Sequence, residues 1–391
     1  MAGLEEKLCP VCFQEAMEHG ECRNCGYHAE ESSAVKDYLA PFTILKEKYL
    51  LGKSLGQGGF GITYLAENMQ SGLRCCIKEY FPSGLLQGRT PDGALILADE
   101  ENRPEYEEGK QQFIEEACAL QELRENISVV DILDFFEENG TAYFAMELIE
   151  GCNLRVFRKN HNPKQTLKMA LQMLFLLGSS LAEVHRFGMI HGDISPENIL
   201  ITQDGEIKLI DFGAARSFRQ GSDNKERKIY LKPNYAPYEQ YTQKPCQGPW
   251  TDIYALAATF YFIVSGRKML DALSRAKGAS YPPLHELCPA VSRQLSDVID
   301  KALAFDYHDR YRRMLDFLDA LEQVVRPEDY DIDLGALMPK SKASKQAEIH
   351  VETSDDSEKM CQVEEQNMPE PKRLAAFFHP KKRRLAYLEL T

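Results

Sequence analysis

The sequence predicts an α+β fold, built as one large domain or two lobes with small appendages. Its 391 residues, 43% of them hydrophobic, are enough to bury a large core. Strand-like residues flank a glycine-rich turn at positions 55–65 and continue at 73–79, which predicts a β-rich part. Farther along, the apolar run at 253–264 predicts a buried helix.

Charge and hydropathy exclude several classes of protein. The net charge of -14 argues against broad charge-driven binding to nucleic acid or acidic lipid, although a local basic patch stays compatible with it. The strongest apolar run, 253–264, is shorter than the roughly 18 to 20 residues that span a bilayer, and the first eight residues lack a secretory signal. We therefore expect no transmembrane segment and a cytoplasmic location, where the eleven cysteines are thiols or metal ligands rather than disulfides.

The N-terminal cysteines form two closely spaced pairs. Two residues separate Cys9 from Cys12, and two separate Cys22 from Cys25. Two such knuckles supply the four thiolates of a tetrahedral zinc site, so residues 1–28 are predicted to form a minimal zinc ribbon around a structural Zn²⁺. Unrelated surface cysteines are the alternative. The pattern leaves open whether such a ribbon binds a partner protein, nucleic acid or nothing.

A glycine-rich hairpin follows residues 29–47, which are predicted to be a connector with a short helix. Gly56, Gly58 and Gly61 would let the backbone approach phosphate oxygens and offer its N–H groups to them. A glycine-rich turn in any hairpin would look similar. A dinucleotide site of the Rossmann type is excluded, because it needs a helix directly after the glycines and this chain continues as a strand.

That strand carries Lys78 at the end of an apolar run. A buried lysine needs a counter-charge. Glu116 can provide it from a predicted helix, where it lies beside the apolar stripe of Phe113, Ala117 and Leu120. A lysine that binds phosphates, and that is held in position by a glutamate on a helix, suits phosphoryl transfer. An unrelated surface lysine and glutamate is the more common case for any single charged pair.

The stretch at 191–198, His-Gly-Asp-Ile-Ser-Pro-Glu-Asn, is typical of a catalytic loop. Asp193 and Asn198 lie five positions apart in a proline-stiffened loop that leads into a strand. This spacing suits one carboxylate that handles a hydroxyl proton and one amide oxygen that reaches a metal. A polar turn between a helix and a hairpin is the alternative.

Together these motifs resemble the protein kinase family, and the resemblance extends across residues 48–325. Asp211-Phe212-Gly213 follows a hairpin whose Asp204-Gly205 turn is a hairpin signal. Further matches lie at 235–239 (Tyr-Ala-Pro-Tyr-Glu), at 250–256 (the start of the buried central helix) and at 306–310 (the late arginine that pairs with Glu239). The resemblance implies a bilobal protein-kinase-like fold, with a small β-rich lobe at 48–147 and a large helical lobe at 151–325.

The resemblance also implies how ATP would be held. Gly56, Gly58 and Gly61 would cover its phosphates, and Lys78, held in position by Glu116, would contact the α- and β-phosphates.

The same resemblance implies roles for the loop and the hinge. Asp193 would orient the substrate hydroxyl and accept its proton, while Asn198 and Asp211 would hold Mg²⁺ or Mn²⁺. The backbone of the hinge, at Glu147 and Ile149, would recognise the edge of the adenine ring. Met146, the first hinge position, is equally consistent with plain core.

Two residues depart from the family pattern. Gly192 stands where the family usually has an arginine that ties a phosphorylated activation segment to the loop. The segment at 214–234 has no threonine shortly before Tyr235, so activity is predicted to be independent of activation-segment phosphorylation. Ser195 stands where Ser/Thr kinases usually place a lysine that neutralises the transferred phosphate. Its presence predicts a lower turnover and weakens the choice of Ser and Thr as acceptors.

The resemblance leaves competing functions to weigh against a kinase that phosphorylates Ser or Thr of protein substrates. His-Gly-Asp is also similar to the loop of antibiotic and choline phosphotransferases, which share the kinase-like fold. Those enzymes generally lack the glycine loop and the Ala-Pro-x-Glu element found here, so the protein kinase is favoured. A catalytically dead, ATP-binding scaffold is disfavoured because the lysine, both aspartates and the asparagine are intact.

The remaining segments carry weaker signals. Residues 81–110 are predicted to hold an inserted hairpin around Pro91-Asp92-Gly93; similar insertions occur in a bacterial branch of the family, and a solvated excursion is the alternative. Residues 326–391 are predicted to be a mostly disordered tail. Its basic and apolar end, 372–385, would dock a partner, touch an anionic membrane or only solubilise the tail. We find no strong nucleic-acid signal.

Overall fold

The computed structural model describes residues 7–29, 37–58, 61–123, 126, 128–212, 216–217, 231–242 and 246–338. The strands are β1 (Met17–Glu18), β2 (Glu21–Cys22), β3 (Ile44–Leu45), β4 (Tyr49–Gly58), β5 (Gly61–Asn68), β6 (Leu73–Tyr80), β7 (Leu86–Arg89), β8 (Leu95–Leu97), β9 (Ile132–Glu138), β10 (Thr141–Glu147), β11 (Gly151–Asn153), β12 (Met189–Ile190), β13 (Ile199–Thr202), β14 (Ile207–Leu209) and β15 (Arg216–Ser217). The α-helices are α1 (Arg103–Glu122), α2 (Leu154–Asn160), α3 (Pro163–Arg186), α4 (Pro249–Ser265), α5 (Ala272–Ala276), α6 (Leu284–Leu287), α7 (Arg293–Ala302), α8 (Met314–Glu322) and α9 (Pro327–Tyr330). Short 3₁₀ helices lie at Ser83–Leu85, Glu100–Asn102, Tyr238–Tyr241, Tyr307–Asp309 and Gly335–Leu337.

A six-stranded antiparallel sheet, in the order β3-β4-β5-β6-β10-β9, forms the small lobe. The Asn139-Gly140 pair between β9 and β10 has φ values of 53° and 73°, as a tight hairpin turn requires. Helix α1 packs on the sheet through a buried stripe, and its Phe113 ring lies 4.8 Å from the ring of Phe144. Lys78 pairs with Thr63 of β5 and Phe144 of β10, which places it in the middle of the sheet.

The insertion after β6 folds as the predicted hairpin, with Arg89 of β7 opposite Leu95 of β8. Arg89 forms an ion pair with Glu79, a fully buried carboxylate that also accepts hydrogen bonds from the hydroxyls of Tyr64 (3.0 Å) and Tyr143 (2.8 Å). A buried charge of this kind is stable only when it is paired and hydrogen-bonded. The hairpin is therefore anchored to the small lobe and is not a solvated excursion.

Two long helices, α3 and α4, form the centre of the large lobe. Helix α4 is buried on all sides from Trp250 to Ile263, which confirms the predicted buried helix. It ends at Ser265 and is capped by Gly266, which has a left-handed φ of 75°. Helix α3 begins with a capping box between Asn162 and Gln165. Among the described helices α3 alone is long and apolar enough to cross a membrane by length and composition, and it lies largely inside the core. The 253–264 run lies in α4, whose 17 residues are too few to span a bilayer, and the longer apolar helix α3 was not identified from the sequence.

The hairpin β13–β14 and strand β11 form a three-stranded sheet below the hinge. Its turn contains Asp204-Gly205, and Gly205 has a φ of 86°. A Cβ there would lie 2.3 Å from the backbone nitrogen of Gly335, so the turn packs tightly on the chain after α9.

The folded part of the chain extends beyond the predicted boundary at 325. The ring of Tyr330 stacks on Phe175 of α3 at 4.6 Å, and Leu334 and Met338 are buried. Residues 326–338 therefore belong to the large lobe, and their prediction as disordered tail was wrong. The basic and apolar segment at 372–385 lies outside the described residues, as do residues 30–36 of the connector. The connector residues 37–47 are described, and they do not contain the predicted short helix.

Candidate active site and metal centre

The loop at 191–198 is held by a buried aspartate of α4. The Asp252 carboxylate accepts hydrogen bonds from the backbone N–H groups of His191 (2.8 Å) and Gly192 (2.9 Å), and it contacts His185 Nε2 at 2.8 Å. Although burial opposes its ionisation, the His185 contact and the N–H group of Gly192 hold the pKa of Asp252 below its ordinary value. Gly192 has a φ of 76°, so a glycine suits this turn for backbone reasons as well.

His191 supports the loop from inside the core. The Asp193 N–H donates to His191 Nδ1 (3.2 Å), so the proton lies on Nε2, which donates to the carbonyl of Ile210 (3.2 Å). Burial lowers the pKa of His191 to about 4, which keeps the ring neutral. The ring also packs at 4.3 Å on Phe212, next to Asp211, and so links the two loops of the site.

The structure brings Asp193 and Asn198 together as predicted. Asn198 Nδ2 donates to both the backbone carbonyl (2.9 Å) and Oδ2 (2.8 Å) of Asp193. Burial is the main cause that raises the pKa of Asp193 to about 6, and the nearby charge of Asp211 adds to it. Within the described part of the chain, no group donates to Asp193 Oδ1 or to Asn198 Oδ1. One acceptor oxygen on each residue is therefore left for a ligand.

Lys78 pairs with Asp211, not with Glu116 as predicted. Its ammonium lies 2.7 Å from Asp211 Oδ1, and this opposite charge holds the pKa of Asp211 well below its usual range. Glu116 Oε1 is buried without a hydrogen-bond partner, and burial raises the pKa of Glu116 to about 8. Burial thus disfavours the charged form of Glu116, and the nearby charge of Lys78 opposes this effect. In turn, the Glu116 carboxyl acts on the charge of Lys78, although less strongly than Asp211 does.

The three glycines of the loop differ in what they allow. A Cβ on Gly56 or Gly58 would meet no atom of the described residues within 4 Å. A Cβ on Gly61 would lie 2.3 Å from the carbonyl oxygen of Glu79. Gly61 is thus required by the packing of β5 on β6, whatever binds above the loop.

The hinge offers backbone groups rather than side chains. The Glu147 carboxylate is occupied by Lys208 Nζ (2.8 Å) and the N–H of Asp131 (3.0 Å). Ile149 lies after the end of β10, and its N–H and C=O make no hydrogen bond to any described residue. These two groups can bind the edge of a planar ligand.

The predicted arginine–glutamate pair is confirmed. Arg310 donates to both oxygens of Glu239, at 2.7 and 3.0 Å, and the pair is buried. It fixes the segment at 235–239 against α4 and the chain after α7.

Sequence reasoning missed Lys232. Its ammonium lies 2.8 Å from Asp193 Oδ2 and 3.0 Å from Ser195 Oγ. The missing lysine at position 195 was the signal that another cation should be sought. Gln240 was also missed, and its Nε2 donates to the carbonyl of Gly192 at 2.7 Å.

The four N-terminal cysteines converge. The Sγ atoms of Cys9, Cys12, Cys22 and Cys25 lie within 4.8 Å of one another, and none forms a disulfide. Two Sγ pairs, Cys9–Cys25 and Cys12–Cys22, are 3.6 Å apart, near the roughly 3.8 Å expected for thiolates around a tetrahedral ion with bonds of about 2.3 Å.

The cysteine-rich unit docks on the small lobe. The N–H of Lys53 in β4 donates to the carbonyl of Pro10 (2.9 Å). A Cβ on the preceding Gly52 would lie 2.1 Å from that same oxygen, so this close approach needs glycine.

Comparisons with known proteins agree with this geometry. The protein kinase domain model matches residues 49–319. Serine/threonine-protein kinase F of Synechocystis is 31% identical over 286 residues, covering 68% of this chain and 53% of the relative. Serine/threonine-protein kinase PknA of Nostoc is 29% identical over 289 residues, covering 71% and 48%. The solved structure titled "PpkA-294 apo form" matches with a TM-score of 0.61 and 34% identity, covering 73% of this chain and 100% of that one. The chain spans about half the length of these two curated relatives. It belongs to the protein kinase family.

Proposed function

We propose that this chain is a protein kinase that transfers the γ-phosphate of ATP to Ser or Thr hydroxyls of protein substrates, with Mg²⁺ or Mn²⁺ as the metal. The observation that carries the proposal is the Asp193 carboxylate, which Asn198 holds at Oδ2 and which keeps Oδ1 open beside the Lys78–Asp211 pair. A carboxylate with a raised pKa suits a group that must receive a proton from a hydroxyl.

The residues around the cleft fit ATP and its metal. Lys78 and the backbone at Gly56 and Gly58 would hold the phosphates, and the backbone of Ile149 would bind adenine. Asn198 Oδ1 and Asp211 are oxygen donors of the kind that Mg²⁺ prefers. The metal would neutralise charge on the phosphates.

The chain's own groups then perform two tasks. Asp193 orients the acceptor hydroxyl and takes its proton as the acceptor oxygen bonds to the γ-phosphorus and the bond from that phosphorus to ADP breaks. Asn198 and the buried Asp252 keep the loop from moving while this happens. Because these groups are oriented before the reaction, little reorganisation is required in the transition state.

The anchored segment at 235–239 favours a protein substrate over a small molecule. The Arg310–Glu239 pair makes this segment a rigid surface beside the loop, and Gln240 ties it to Gly192. A small acceptor would need an enclosed pocket rather than a platform.

The proposal is tested by incubating the purified chain with labelled ATP and Mg²⁺, in parallel reactions that contain a mixture of protein acceptors, aminoglycosides or choline. We expect label on Ser or Thr, and no label when EDTA removes the metal. Label only on added aminoglycosides or choline would overturn the protein kinase in favour of a small-molecule phosphotransferase. Binding of ATP without any transfer would overturn it in favour of a scaffold.

Phosphatase treatment is expected to leave the rate of transfer within about twofold, because a phosphorylated segment acts through basic partners. The loop position that would supply such a partner is Gly192, which has no side chain. The assay compares initial rates before treatment, after treatment and after renewed incubation with ATP. Loss of activity on treatment, with recovery on incubation, would contradict the prediction.

The cysteine cluster is proposed to bind about one structural Zn²⁺ per chain. Structural zinc contributes an apparent free energy of about 10–16 kcal/mol in small domains, so a chelator should unfold residues 1–28 and leave the kinase domain folded. Metal analysis and hydrogen exchange measure both effects. Cys12→Ser should lose the ion and Cys288→Ser, outside the cluster, should keep it. Well under one zinc ion per chain in the wild-type protein would refute the site.

A further inference from the structure

Lys232 reaches into the loop from a different segment of the chain. The backbone carbonyl of Lys232 accepts hydrogen bonds from the N–H groups of Tyr235 and Ala236, both at 2.9 Å, which ties its backbone to the anchored segment at 235–239. Its ammonium contacts Asp193 Oδ2 at 2.8 Å and Ser195 Oγ at 3.0 Å. The side chain is one-third exposed (33%), and Lys232 lines a small pocket together with Gly192 and Asp193.

Ser195 leaves room for the Lys232 side chain and provides a hydrogen-bond acceptor for its ammonium. Its side chain is fully buried, small and neutral, and its hydroxyl oxygen accepts from the ammonium. A second cation at position 195 would repel Lys232 at this distance. The serine and the lysine therefore form a matched pair.

The two lysines of the site contact different acids. The ammonium of Lys232 lies 2.8 Å from Asp193 Oδ2. The other described cation in the site, Lys78, is bound to Asp211 at 2.7 Å. Lys232 is thus the ammonium on the Asp193 side, where the acceptor hydroxyl would lie.

We propose that Lys232 is a catalytic residue, which stabilises the negative charge that develops on the transferred phosphoryl group beside Asp193. The inference rests on the proposed kinase function and changes one expectation of the sequence: Ser195 does not remove the cation, because Lys232 supplies it from another segment. Pre-positioned charges aimed at a developing anion contribute chiefly to the transition state.

Lys232→Met tests the proposal, with Lys268→Met, an exposed lysine, as the matched control. We expect the kcat of Lys232→Met to fall by about 100-fold, as for removal of one transition-state donor, while its KM for ATP changes by less than about threefold. Lys232→Arg, which keeps the charge, should retain at least about one-tenth of the wild-type kcat. Lys268→Met should match the wild type.

A binding measurement separates catalysis from folding and from autoinhibition. Lys232→Met should bind a non-hydrolysable ATP analogue as the wild type does, but should bind ADP with aluminium fluoride, a mimic of the transferred group, at least about tenfold more weakly.

An unchanged kcat in Lys232→Met would overturn the inference. An increased kcat would also overturn it, because it would show that the Lys232–Asp193 contact is inhibitory. Equal weakening for both analogues would also overturn it. If the wild-type chain transfers no phosphate, the proposed function itself fails, and this outcome is distinct from the others.

Discussion

Replacing Asp193 by Asn is expected to lower kcat for transfer to Ser or Thr by about 10²–10⁴-fold, the usual contribution of a general base. The amide keeps the size of the carboxylate and can still accept hydrogen bonds from Asn198 and Lys232 through its oxygen. It cannot receive the hydroxyl proton. Steady-state rates with labelled ATP should therefore show a large loss in kcat and a small change in the KM for ATP.

The control is Asp204→Asn, the same chemical change in the exposed turn between β13 and β14, where asparagine is a favoured turn residue. This variant should keep the wild-type kcat. Both proteins should keep the wild-type melting temperature and affinity for an ATP analogue. A fully active Asp193→Asn would remove Asp193 from the chemical step and with it the mechanism proposed above.

Local turn chemistry explains why much of the fold could be predicted. The Pro91-Asp92-Gly93 and Asp204-Gly205 turns each join two strands that pair in the structure. Such turns depend on backbone angles that only a few residues adopt easily, so the signal lies within a few positions. The same holds for the two cysteine pairs, whose short spacing places the sulfurs together.

The partner of Lys78 could not be predicted, because it depends on the relative position of two lobes. The sequence shows that a lysine in an apolar strand needs an anion, and both Glu116 and Asp211 satisfy that need. In the structure the Lys78 ammonium lies 2.7 Å from Asp211, while burial raises the pKa of Glu116 and so disfavours its charged form. Neither quantity is visible in a linear sequence.

The contact of Lys232 with Asp193 has the same origin. The two residues are far apart along the chain, and the described residues between them include β13 and β14.

The docking of Tyr330 on Phe175 was missed because the region after 325 lacks apolar periodicity, yet a few apolar side chains suffice where a groove already exists.

Arg310→Met is expected to destabilise the kinase domain by about 3–5 kcal/mol, the cost of leaving one partner of a buried ion pair uncompensated. Arg310 is fully buried at its side chain and donates to both oxygens of Glu239. It also donates to the carbonyls of Ala304 (2.7 Å) and Phe305 (3.0 Å), which would lose their partners. For a domain of this size the loss corresponds to a melting temperature lower by roughly 10 °C. Thermal unfolding followed by circular dichroism measures it.

The matched control is Arg313→Met, which breaks an ion pair of the same chemistry with Asp316 on the surface of the same lobe. Exposed pairs contribute at most about 1 kcal/mol, because water and salt screen both charges. The double variant Arg310→Met/Glu239→Gln should recover part of the lost stability, since it removes the buried charge that the single variant leaves behind. Equal destabilisation by Arg310→Met and Arg313→Met would show that burial does not make the Arg310–Glu239 pair special, and that the segment at 235–239 is held by its other contacts.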